Sequence, residues 1–140
     1  MDFKKLLLGG IVGGILYFGL GYLVYGNLLA GFMQNNPGIV KADRPMADIQ
    51  FMYLIIGNLL GGFLIAYIFI KANISTAVSG FVTGGLIGLL SSASMDCISY
   101  ATTNVLSKKM MAADVVAAAV MTAIVGAVVA LVMGMGKKAT

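Results

Sequence analysis

Asp96 is the only acid within the apolar stretch 80–103, GFVTGGLIGLLSSASMDCISYATT. On a helix, Ser92, Asp96, Ser99 and Thr103 fall on one face, at spacings of four, three and four residues. A carboxyl flanked by hydroxyls can take up and release a proton or a small cation, and an ionisable group inside a membrane span marks a functional site by default. The competing reading is structural. About twenty residues of the span precede Asp96, so the side chain would already meet water at the interface.

Other chemistry is poorly provided for. Met95-Asp96-Cys97 and the ten methionines admit a copper(I) reading, because thioethers and thiolates suit that ion. Flexible apolar filling is the ordinary role of methionine. With one cysteine and no histidine, no metal or cofactor is expected. Neither histidine nor glutamate is present to activate Cys97 or a serine, so an enzyme is not expected either. Asn58, the amide within the second apolar run, joins Asp96, Ser92 and Ser99 as candidates for an ion or proton site.

These residues need helices to position them. Of the 140 residues, 60% are hydrophobic and 10% charged, with a mean hydropathy of +1.00. A soluble domain of this size cannot hide so much apolar surface, so a lipid bilayer is the natural solvent. The expected architecture is all-α, an integral membrane four-helix bundle forming one transmembrane domain over 1–140, with spans at about 6–33, 46–70, 76–103 and 110–135. The first run also resembles a signal peptide at its basic start, but it continues far beyond a signal core and ends in QNNPG. Asp43 and Pro45 read as the start of the second helix. Asn73-Ile74-Ser75 matches a glycosylation sequon, a motif short enough to arise by chance.

Small residues at four-residue spacing supply the expected packing surfaces: Gly80, Gly84 and Gly88 on the third helix, Gly57 and Gly61 on the second, Ala119 and Ala123 on the fourth. Lining a pore is the functional alternative for the same glycines. Asp48 and Asp114, near the starts of helices two and four, are explained by the helix dipole. A shift of 66 positions superimposes Gly14 on Gly80, Gly19 on Gly85 and Asp48 on Asp114, a hint of a repeated two-helix unit.

Four spans place both termini on one side, with Lys4, Lys5, Lys71, Lys137 and Lys138 against Lys41, Arg44, Lys108 and Lys109 on the other. Five against four favours cytoplasmic termini. The basic residues flank apolar runs and form no patch for nucleic acid.

The segment 21–31, GYLVYGNLLAG, resembles the end of the first helix in the bacterial membrane-protein family called domain of unknown function 1761. Gly21, Tyr25, Gly26 and Gly31 fit its pattern, whereas Val24, Asn27 and Ala30 replace a tryptophan, a proline and a phenylalanine. Asp114 followed by Gly126-Ala127 resembles the family's last helix. The resemblance implies four helices in a bacterial inner membrane and no established activity. Two functions are therefore expected in turn. The first is a structural or accessory protein that packs in the bilayer as a homo-oligomer or within a larger membrane complex. The alternative is a small ion or proton-coupled transporter or channel using Asp96.

Overall fold

A computed structural model describes residues 1–135. Lys137 and Lys138, used above to orient the chain, lie outside the described residues. The chain is all-α: α1 (Phe3–Leu23), α2 (Ala30–Asn35), α3 (Phe51–Lys71), α4 (Ala77–Thr102) and α5 (Lys108–Gly134). Four segments are long and apolar enough to cross a membrane: Phe3–Leu28, Phe51–Lys71, Ala77–Thr102 and Lys108–Gly134. The chain is therefore a multi-pass membrane protein. At 26 residues, α4 rises about 39 Å, more than the roughly 30 Å hydrocarbon core.

Local chemistry sets most helix ends. Asp2 caps α1 by accepting from the backbone N–H groups of Lys4 and Lys5, at 3.1 and 3.2 Å. Thr76 caps α4 through Ser79 N–H, and Ser107 caps α5 through Met110 N–H. After α3, Asn73 takes a left-handed φ of 55°, Ile74 N–H reaches the Phe69 carbonyl and Asn73 N–H the Ile70 carbonyl. This is the double hydrogen bond of a Schellman stop with asparagine in glycine's place. The reversal from α3 to α4 thus needs only five residues, 72–76.

Two boundaries differ from the sequence expectation. The first apolar run is not one helix to Met33. It widens into a π-helical turn at Val24–Leu28, breaks at Leu29 and restarts as the short α2. The second helix starts at Phe51, because Pro45 leads only into a single 3₁₀ turn (Met46–Asp48) and Ile49 is extended. Asp43 and Pro45 therefore start no long helix, and Asp48 lies ahead of α3, exposed.

Two close pairs, α1 with α3 and α4 with α5, join through α1 against α5. Among the described residues, the only extensive partner of α4 is α5. Each pair is sealed by glycine. A Cβ on Gly62 of α3 would strike the backbone of Gly14 and Gly10, and one on Gly84 of α4 would strike the Thr122 carbonyl. Gly80 likewise abuts Gly126 and Ala130, and Gly88 abuts Ala118 and Thr122. In lipid, where burial of apolar surface adds little, such backbone approach is what holds helices together. Ile65, Ala66, Phe69, Val125, Val129, Ala130 and Met133 form the buried core between the pairs. Leucines and isoleucines such as Leu7, Ile11, Leu60, Leu64, Leu86 and Leu90 point outward, as the bilayer requires.

The packing glycines are partly those expected. Gly80, Gly84 and Gly88 are buried in the α4–α5 seam, but Gly57 meets nothing within 4 Å and Gly61 only the Tyr17 ring, 3.6 Å away. On α3 the contact falls one residue later, at Gly62. On α5 the seam runs through Ala118, Thr122, Gly126 and Ala130, while Ala119 and Ala123 flank it beside Gly85. Four-residue spacing recurs on several faces of an alanine-rich helix, and the partner's shape selects one of them.

Candidate carboxyl site between the helices

Where α4 and α5 run antiparallel, residues equidistant from Val105 face each other: Gly80 with Ala130, Gly84 with Gly126, Gly88 with Thr122. The same register carried towards the connecting turn sets Asp96 opposite Asp114. Each stands six residues inside the end of its helix, Thr102 and Lys108 respectively, a depth of about 9 Å.

Asp114 is the centre of the cluster. Tyr25 donates its hydroxyl to Asp114 Oδ1 at 2.6 Å, and Ser92 donates to Oδ2 at 3.0 Å. The carboxyl of Asp96 lies beside those of Asp114 and the Ser92 hydroxyl. Asp96 Oδ2 is buried and, among the described residues, has no hydrogen-bond partner. Both hydrogen bonds to Asp114 thus come from neutral hydroxyls. All four residues are half-buried. Among the described residues, no three of His, Cys, Asp and Glu converge.

Tyr25 reaches Asp114 from the π turn. Five residues per hydrogen-bonded step re-aim the side chains relative to α1, a device frequent at functional sites. The turn is held by Leu29 N–H to the Val24 carbonyl (2.7 Å) and by the Asn27 side-chain amide to the Tyr22 carbonyl (3.1 Å). Tyr25 also lines a cleft of about 820 Å³ between α1, α3, α5 and the 37–49 loop, walled by Tyr17, Asn58, Met110 and Met121 and flanked by Arg44. Its ring therefore stands at once in the cleft and on the acid pair. The roof of this end is fixed by Ser107, which donates to the Asn36 carbonyl at 2.7 Å, and by Val40 N–H to the Asn104 carbonyl at 2.9 Å. Deeper in, the Tyr17 hydroxyl bonds the Thr122 hydroxyl at 3.2 Å, linking α1 to α5.

Of the candidates read from the sequence, Ser92 and Asp96 come together. Asn58 lines the cleft but donates its amide to the Leu54 carbonyl of its own helix, 2.7 Å away. Ser99 is half-buried, and its backbone carbonyl accepts from the Thr103 hydroxyl. Met95 and Cys97 are exposed, since neighbours on a helix diverge by about 100°, and they do not converge with Asp96. Asp114 and Tyr25 are the residues that sequence reasoning left out of the site. The signal for Asp114 was present. It lies in the second turn, beyond the first-turn reach of the helix dipole, and folding the sequence about residue 105 sets it against Asp96. Comparison with family models, with curated proteins and with solved structures finds no match.

Proposed function

We propose that the Asp96–Asp114 pair is a reversible binding site for a proton or a small monovalent cation, and that the protein is a small ion or proton-coupled membrane carrier. One observation carries this reading: two carboxyls from adjacent helices side by side within the span, Asp114 held by the neutral hydroxyls of Tyr25 and Ser92. Paired carboxyls can share one proton. A cation displacing it would find the unpartnered Asp96 Oδ2 ready to accept. The cleft behind Tyr25 supplies volume for a cargo or for water on one side of the pair.

The structural or accessory reading has its own support in α4, whose broad outer surface has no extensive partner among the described residues. A second copy or a larger complex against α4 would complete the wall around the acids. The glycine seams, however, are used inside the chain, so they leave that reading without its main motif. We place the protein in a bacterial inner membrane with cytoplasmic termini, on the family resemblance and on the lysines flanking the spans.

Liposomes loaded with a pH-sensitive dye test the carrier. Under an imposed proton or sodium gradient, wild-type protein should carry flux that Asp96→Asn and Asp114→Asn each abolish while assembly persists. Equal flux in wild type and the double variant, or none from wild type under either gradient, overturns the reading.

A further inference from the structure

On the other flank of α5, an open groove of about 870 Å³ runs between α5 and the first transmembrane segment. In the half nearest the termini α1 and α5 approach closely, where Gly13 meets Val129 and Tyr17 bonds Thr122. Beyond Leu23 the π turn leads into α2, which packs substantially only on that turn. Towards the α4–α5 turn the opposing face of α5 is rich in alanine, with Ala112, Ala113 and Ala117, and deeper in it carries Val120 and Ile124. Leu20, Val24 and Leu28 form the facing wall.

Polar groups occur at one end only, Asn36 and Lys109. Asn36 is already engaged, its amide with the Phe32 carbonyl and its own carbonyl with Ser107. Lys109, in the first turn of α5, is exposed and is the charged group of the lining. From Lys109 to Ile124 the groove follows α5 for about 22 Å, more than the roughly 15 Å depth of one leaflet. We infer that this groove holds one acyl chain of an anionic phospholipid, with the lipid phosphate on Lys109. The apolar trough at hydrocarbon depth matches the chain, and the single cation at headgroup level matches the phosphate. A partner helix would need no charge at that end and would leave Lys109 without an anion.

The test is native mass spectrometry of protein released from nanodiscs of equal phosphatidylglycerol and phosphatidylethanolamine. Wild type is expected to retain one lipid per chain, enriched in phosphatidylglycerol about fivefold, the effect of one lysine at a membrane surface. Lys109→Gln should lose the enrichment, and Lys108→Gln, outside the groove lining, should keep it. Ala117→Phe, which fills the trough, should lose retained lipid of either kind while its helix content stays native. Retention that mirrors the bulk mixture in wild type, enrichment that survives Lys109→Gln, or a lipid-free dimer sealed through this face overturns the assignment.

Discussion

Asp96 of α4 and Asp114 of α5 lie side by side, equidistant from Val105, with Ser92 and Tyr25 hydrogen-bonded to the second of them. Two carboxyls so placed behave as one unit whose protons leave in steps that belong to the pair. Infrared titration of the carboxyl bands in lipid should show two linked steps in wild type. Asp114→Asn keeps one acceptor oxygen for Tyr25 and turns its amide N–H to the Ser92 hydroxyl, but it cannot titrate, so a single step should remain. An Asp96 band that titrates identically with and without Asp114 would mean the two are independent.

Tyr25→Phe removes the 2.6 Å hydrogen bond and keeps the ring in the cleft wall. Leaving a half-buried carboxylate oxygen without its donor should cost about 1–3 kcal/mol of stability. Tyr22→Phe, at an exposed position in the same region, serves as the control and should cost nothing measurable. Unfolding in mixed micelles compares the two. Equal midpoints would show that the phenol contributes nothing to holding Asp114.

Glycines on α3 separate by one residue of register. Gly62→Ala drives a methyl into the backbone of Gly14 and should destabilise by about 1–3 kcal/mol or more, as overpacking does. Gly57→Ala has open space and should gain up to about 1 kcal/mol from helix propensity. On α4, Gly84→Leu should part α4 from α5, and Leu86→Ile, on the outward face, should be mild. Thermal stability in detergent ranks all four, and a Gly62→Ala protein as stable as Gly57→Ala would contradict the α1–α3 seam.

Reporter fusions at Gly38 and after Thr140 should lie in opposite compartments. The loop carrying Gly38 packs on Asn104 and Val105 at the α4–α5 turn, so both connections share one side. Fusions that report the same compartment would be incompatible with four crossings.

Composition and apolar run length determined the membrane setting, the four spans and their order, because a bilayer leaves long helices few alternatives. The 80, 84, 88 ladder was legible as a contact surface because three glycines at four-residue spacing line one face of α4 and let a second backbone approach. The α5 partner face was not legible, since alanines occur around much of that helix. The π turn was invisible as well. VYGNL holds two weak helix formers, Gly26 and Asn27, but nothing in it specifies a π turn over a simple helix end. Asp114 itself reads in one dimension as an early-helix acid one turn past the reach of the helix dipole. It becomes half of a carboxyl pair only because the glycine seam fixes the antiparallel register of α4 on α5, and a side-chain pairing across two helices is a property of that register and not of either sequence alone.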